Sequence, residues 1–300
     1  MIHIQRDIGL NYTLCHQVTR LGAQRTLPSN GLDPEGQVPM ATFVKSVSNS
    51  PFTSYALLGS GRLARHLQSY LKSLNCPVVF WSRNGDPEFN SVQEPDSARR
   101  LTQTLKDRSH VLLAVSDPAL PELANSTLPG QTVVHFSGCA QVPGVFAAHP
   151  LMTFGAEVQD LEWYRRIPFV VDTGVDFSRI LPGFTNPAFS LEPGQRALYH
   201  ALCALAGNST FLLWQKITEV FEQQLELPST VLSPFLHQVV TNALRPERSA
   251  RATGPVARGD WDTVRAHLDA LAEKPTLLAA YRQFLHQAGQ SGFEVPEALL

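Results

Sequence analysis

Between Ser54 and Asp172 the apolar residues fall in short unbroken runs, and the stretches between them carry a helical period. SYALLG reads as a short buried strand. RLARHLQSYLKSL follows as a helix whose Leu63, Leu67, Tyr70, Leu71 and Leu74 share one stripe, and CPVVFWS as the next strand. HVLLAVS (His110 to Ser116) and QTVVHFS (Gln131 to Ser137) repeat the strand pattern across helix-sized connections, and IPFVVD (Ile167 to Asp172) offers a last one. Continuously apolar strands that alternate with helices predict a parallel sheet covered on both faces.

After about Pro193 the strand pattern stops. QRALYHALCALAGNSTFLLWQKITEVFEQQL predicts one long helix, softened near Gly207, and further helices are predicted over Leu227 to Leu244, Trp261 to Leu271 and Thr276 to Ala288. TGPVARGD (Thr253 to Asp260) reads as a loop among them. Residues 1–52 are polar and turn-rich, with neither period sustained, and predict an extension with little structure. A start at Met40 is the other reading of that stretch. The expected plan is an α/β sheet domain over 53–175 followed by an all-helical domain over 176–300.

Composition narrows the function classes. The chain has 300 residues, 43% hydrophobic and 17% charged, with a formal net charge of −2. No basic field is present to attract nucleic acid. No apolar run reaches the roughly 18–20 residues that span a bilayer, and the first residues lack the apolar centre of a signal peptide, so a cytoplasmic protein without a membrane partner is expected. The four cysteines (Cys15, Cys76, Cys139 and Cys203) have no metal-ligand spacing. They are expected to be reduced, small, buried side chains, with no metal site.

The chemistry begins at the end of the first strand. Tyr55 to Leu58 runs into Gly59-Ser60-Gly61-Arg62-Leu63-Ala64, which opens a helix. This is the G-x-G-x-x-A dinucleotide fingerprint: Gly59 permits the tight turn, Gly61 lets a pyrophosphate approach the backbone, and Ala64 lets helix and strand pack closely. Amides at the helix N-terminus face the phosphate charge. A plain βα turn is the competing reading. At the end of the second strand an NAD site usually carries an Asp or Glu; here stand Ser82, Arg83 and Asn84, with Asp86 two residues on. Arg83 can pair with a 2′-phosphate, which Ser82 and Asn84 can hydrogen-bond, so NADP is the expected cofactor. A solvated Arg83 is the alternative.

GSGRLARHL, VLLAVSDPAL, VVHFSGCA, AAHPLMTF, ALYHALCALAGN and TGPVARGDWDTVRAHL together resemble a bacterial family that joins a Rossmann-like domain to a C-terminal domain of unknown function 2520. The resemblance spans about Ser54 to Ala288. That family looks like a branch of the superfamily holding 6-phosphogluconate dehydrogenase, pyrroline-5-carboxylate reductase and ketopantoate reductase. The resemblance implies a Rossmann-type parallel sheet, NADP binding and reductase chemistry, with some members reported to act as alternative ketopantoate reductases. The N-terminal extension and the proline-rich segment between Asp172 and Tyr199 depart from the pattern.

Hydride transfer to a carbonyl or imine needs a proton donor and groups that orient the substrate. On the long helix His200 and Asn208 lie eight residues apart on nearly one face. Related dehydrogenases resemble this in placing a Lys and an Asn one turn apart, but here Ala204 stands where the Lys would be. His200 is then the candidate proton donor and Asn208 a carbonyl polariser; a core histidine is the bland reading of His200, and packing that of Tyr199. Arg258 offers a fork for a substrate carboxylate, with Thr253 and Asp260 beside it, although Asp260 also precedes a helix as an N-cap would. Ser116, Asp117 and Ser137 end strands where ligands of open α/β sheets sit, and His149 is expected in a following loop as a second acid or a loop anchor.

The leading expectation is an NADP-dependent oxidoreductase that reduces a small carboxylated ketone such as ketopantoate. Alternatives are a non-catalytic NADP-binding regulator and an imine reductase of the pyrroline-5-carboxylate reductase type. The apolar positions of the long helix, Leu198 to Trp214, could pack into the core or into a homodimer.

Overall fold

Every side chain of the first strand is fully buried, and alternate residues serve opposite faces of the sheet. In the computed structural model, which describes residues 53–244 and 253–300, this strand is β1 (Tyr55–Leu58). Tyr55 and Leu57 join one apolar cluster with Leu67, Tyr70 and Leu71 of helix α1 (Arg62–Ser73). Ala56 and Leu58 join another with Leu101 and Leu105 of α2 (Ser97–Leu105) and Leu120 and Leu123 of α3 (Leu120–Asn125). Burial on both faces is why the strand reads as a continuous apolar run rather than an alternating one. The extension expected over 1–52, with Met40 and Cys15, lies outside the described residues.

The remaining strands are β2 (Val78–Trp81), β3 (His110–Leu113), β4 (Thr132–His135), β5 (Phe146–Pro150), β6 (Phe169–Asp172) and β7 (Ala188–Leu191). Their order in the sheet is β2-β1-β3-β4-β5-β6-β7, and every pair is parallel except β5 with β6. The expected α/β class, a Rossmann-type sheet followed by helices, is what the chain adopts. The chain leaves β1 to opposite sides toward β2 and β3. That reversal opens a crevice at the carboxyl ends of β1 and β3, where open α/β sheets bind ligands.

Two expectations change. His149 and Pro150 are not in a loop: they pair with Val170 and Phe169 inside the sheet. The sheet also continues past residue 175, because β7 pairs with β6 beyond the short helix α5 (Phe177–Ile180). Four residues on a half-exposed edge, bounded by prolines, carry too little periodicity to show as a strand.

The long helix begins at α6 (Arg196–Ala204), passes through a π-helical turn at Leu205–Ser209 and continues as α7 (Thr210–Gln223). The expected softening at Gly207 is therefore a local widening, not a break. Helix α8 (Ser233–Ala243) follows. Arg196 is the one buried residue of α6, and α7 and α8 have none. A separate small core, Val256, Val264, Leu285, Ala288 and Leu299, is built from α9 (Pro255–Arg258), α10 (Trp261–Ala270), α11 (Pro275–Gln290) and the C-terminal turn. Among the described residues no helix is long and apolar enough to cross a membrane. Cys76 is buried as expected, but Cys139 is exposed and Cys203 only partly covered.

Candidate functional site

The glycine turn is built on a close approach that no other residue permits. Gly59 has φ +135°, and a Cβ there would lie 2.2 Å from the carbonyl oxygen of Ala114, at the end of the neighbouring β3. Gly61 caps α1 without a side-chain hydrogen bond, and no acidic residue occupies the first turn. The N-terminal amides of α1 and the positive end of its dipole are left for an anion. Gly59, Ser60, Gly61, Arg62 and Leu63 line a cleft of about 440 Å³ with Trp81, Ser82, Arg83, Val115, Ser116 and Leu123. Volume, an uncapped helix end and a backbone cradle fit a dinucleotide.

Past β2 the turn is organised from within. Ser82 is buried, and its hydroxyl accepts from Asn90 Nδ2 and donates to Asn84 Oδ1, each at 2.7 Å. Ser82 and Asn84 thus spend these groups on each other, a turn-holding job that the expectation of phosphate hydrogen bonds did not include. Asp86 accepts from the Glu88 amide as a cap, so the carboxylate nearest the cleft also has a local task. Arg83 remains outside this network. It is exposed and bridges to Glu122 on α3 at 2.8 Å, a pair too solvated to hold it firmly.

Arg100, which the sequence did not single out, holds the turn. It is buried on α2 and donates to Asn90 Oδ1 and to the carbonyls of Ser82, Arg83 and Glu94. Buried guanidinium on a helix has no local sequence signature; a lone Arg in an amphipathic pattern reads as surface.

A second group of residues gathers at the carboxyl ends of β3, β4 and β5. The Ser137 hydroxyl donates to Asp117 Oδ2 at 2.9 Å and accepts from the Ala140 amide, tying the loops after β3 and β4 together. Ser116 caps the short turn that begins at Asp117. His149 Nδ1 shares a 2.7 Å hydrogen bond with the Tyr199 hydroxyl, and the His149 and His200 rings meet edge to face at 5.7 Å. Gly138 makes room for both: a Cβ there would stand 2.5 Å from His200 Cδ2 and 3.2 Å from His149 Cδ2. His200 is exposed, so the core-histidine reading does not describe it. Tyr199, read as packing, is a hydrogen-bonding neighbour of His149.

The other expected residues are elsewhere. Asn208 is exposed in the π turn. Thr253, Arg258 and Asp260 belong to the segment packed through Val256 onto the small C-terminal core. Asp260 is the N-cap of α10: Oδ1 accepts from the Thr263 amide and Oδ2 from its hydroxyl. Those bonds hold its carboxyl below the ordinary value. The capping reading therefore displaces the substrate-binding one for Asp260. Among the described residues no hydrogen bond joins this segment to His149, Tyr199 or His200. Among them, too, no group of His, Cys, Asp and Glu could hold a metal ion.

Electrostatics sets the histidines apart. Burial, then the neighbouring His200 and Arg196, bring His149 down from 6.5 to about 4, with Asp117 opposing. Burial also lowers His110, and burial with Arg196 lowers His135. Burial pushes the Tyr199 hydroxyl up, so it stays protonated. At neutral pH the His149–Tyr199 pair is uncharged.

Residues 177–288 match the family described as a domain of unknown function (DUF2520). The match covers the C-terminal part of the resemblance seen in the sequence, from α5 to α11. Among curated proteins no match was found. Among solved structures, a Bacteroides fragilis protein assigned as an NADP oxidoreductase superposes with a TM-score of 0.60 at 20% identity, over 79% of this chain and 98% of that one. A Thermotoga maritima protein gives 0.54 at 21% identity, over 79% and 98%. An Aspergillus terreus reductive aminase in complex with NADPH and ethyl levulinate gives 0.52 at 14%, over 82% and 97%. At these identities the likeness is one of fold, and it extends across nearly the whole of each relative.

Gly59→Ala is expected to destabilise the protein by about 2 kcal/mol or more, read by chemical denaturation, because the Ala114 carbonyl cannot retreat without disturbing β3. A variant as stable as the parent would mean that the turn does not need this approach. The histidines set a pH window. The unfolded chain takes up protons near pH 6.5, whereas folded His149 does so only near 4. Its contribution is therefore complete above pH 6.5 and is lost as the pH falls toward 4. The denaturation midpoint should drop across that range, and His149→Asn should flatten the drop; an unchanged profile in the variant would exclude His149 as a source.

Proposed function

We propose that the protein is an NADP-dependent oxidoreductase that reduces a small carboxylated ketone of the ketopantoate type. The cleft at the β1–β3 reversal carries the cofactor half of this reading: a glycine turn against Ala114, an uncapped α1 and Arg83 at the far end. Gly59, Ser60, Gly61, Arg62 and Leu63 would hold the pyrophosphate, and Arg83 would leave its exposed bridge to Glu122 for the more highly charged 2′-phosphate. Bound NADPH supplies a hydride.

The chain's own contribution lies at the neighbouring strand ends. Ser116 lines the cleft, and the Ser137–Asp117 hydrogen bond ties the loops after β3 and β4 together. His200, exposed above Gly138, donates the proton to the substrate oxygen. The uncharged Tyr199–His149 pair beside it orients the same face and can pass a proton inward. Imine reduction is the second reading, favoured by the fold shared with a reductive aminase; a non-catalytic NADP-binding regulator is the third.

The helices supply the reason for a homodimer. Leu198, Leu202, Phe211, Leu212, Phe235 and Leu244 are each more than half exposed, on helices that bury almost nothing within the chain. A large exposed apolar patch of this kind marks a contact surface. A second copy presents the same surface, so a two-fold contact covers both at once. In that assembly Asn208, on the same long helix, and the loop of Thr253 and Arg258 are available to a substrate gripped between copies.

NADPH should bind at least about tenfold more tightly than NADH when followed by the fluorescence of Trp81, which lines the cleft; the opposite preference overturns the cofactor assignment. Against a panel of 2-oxo acids and cyclic imines, oxidation of NADPH by the acids supports the leading reading. Imines alone support the second, and no consumption supports the third. His200→Ala should lower turnover by about 100-fold with NADPH affinity within about twofold; unchanged turnover removes His200. Light scattering should give twice the chain mass, and Leu202→Glu with Phe211→Glu should halve it. A monomeric parent overturns the dimer.

A further inference from the structure

Arg196 breaks local rules at the first position of α6. A cation there opposes the helix dipole, and burial of a guanidinium is costly; yet Arg196 is 1% exposed. A leucine would fill the space without either penalty. The charge is held by contacts to two strands. Nε donates to Asp172 Oδ1, at the end of β6, at 2.5 Å, and Nη2 points to the Ala147 carbonyl of β5 at 3.5 Å. Among the described residues Nη1 is buried with no partner. So is Nε2 of the fully buried His135, which Nδ1 identifies as the protonated nitrogen, because Nδ1 accepts from the Ser137 amide.

We propose that Arg196 is a positioning residue of the candidate site, fastening the start of α6 to β5 and β6 so that Tyr199 and His200, on the next turn, meet His149. The register supports this. Ala147, whose carbonyl Nη2 approaches, lies two residues before His149 on β5, and His135 of β4 pairs with Ala147. One guanidinium thus ties together the strand that carries His149 and the helix that carries its partners. The assignment rests on the reading of His149, Tyr199 and His200 as the proton-handling face.

The same charge acts on that face. His149 is faced by Arg196, Tyr199 and His200 from α6, by Asp117 from the turn after β3, and by Gly138 from the loop after β4. Cys203 lies beside Tyr199, and Asp172 and His135 adjoin Arg196. Burial, His200 and Arg196 together keep the His149 imidazole neutral.

The test is the titration of His149 by imidazole proton resonances, assigned by their loss in His149→Asn. Arg196→Met should raise the His149 midpoint by about one pH unit, and Arg196→Lys, which keeps the charge, should restore most of the shift. Arg196→Met leaves the Asp172 carboxylate without its partner, so Arg196→Met/Asp172→Asn is the second variant; it removes both charges and should still titrate higher than the parent. NADPH affinity within about twofold of the parent in these variants is expected, because the nucleotide cleft is built on other elements. A His149 midpoint that stays put in folded Arg196→Met and in the double variant overturns the proposal. So does loss of NADPH affinity by more than about tenfold, which would mark general damage. The titration is decisive whether or not NADPH is consumed, so failure of the reductase reading is separately visible.

Discussion

The approach of Gly59 to the carbonyl of Ala114 is the constraint on which the site depends. Two parallel strands lie side by side, and the chain must leave one of them over the end of the other without a side chain in between. With hydrogen at Cα, the turn closes tightly enough to start α1 immediately above the sheet, its amides facing the crevice. Any larger residue would push the helix away and with it Leu67, Tyr70 and Leu71, which seal one face of the sheet. Packing and ligand cradle are therefore one arrangement. The buried strand supplies rigidity, and the glycine turn converts that rigidity into a binding surface.

The nucleotide cleft and the histidine face both lie at strand ends of the sheet but are stabilised differently. The cleft is made of backbone, helix dipole and one exposed arginine, features that suit binding of an anion. The histidine face is made of side chains held by several weak contacts: a Tyr–His hydrogen bond, an edge-to-face ring pair and the Ser137–Asp117 link. Arg196 and Arg100 play parallel parts in the two halves. Each is a buried guanidinium that satisfies acceptors from more than one segment, and each stands behind residues of the candidate site. Planar donors arranged as a fork suit this work, because a single side chain can fix the relative position of a helix and two loops.

The helical part follows a different logic. The sheet completes its own core, with apolar clusters on both faces. Helices α7 and α8 have no fully buried residue among the described ones, although leucine and phenylalanine recur along them. Among the described residues these apolar side chains are left uncovered, and Arg258 stands apart from the histidines on the small C-terminal core.

The strands from β1 to β4, the glycine turn and the long helix with its weakness at Gly207 were legible because each depends on local pattern: apolar runs, backbone freedom, helical spacing. Asp260 as an N-cap was also within reach, since capping depends on the few residues that follow. Other features depend on distant segments. His149 reads as a loop residue until β6 pairs with β5, and β7 is invisible until an edge is available for it. Arg196 and Arg100 look like surface charges until the folded chain encloses them, and Tyr199 looks like packing until His149 lies opposite. Local sequence determined which elements form and where an anion can approach the backbone, because those are properties of a few consecutive residues. Tertiary structure alone decided which polar side chains lose their water and find one another, because burial and distance exist only once the whole sheet is assembled.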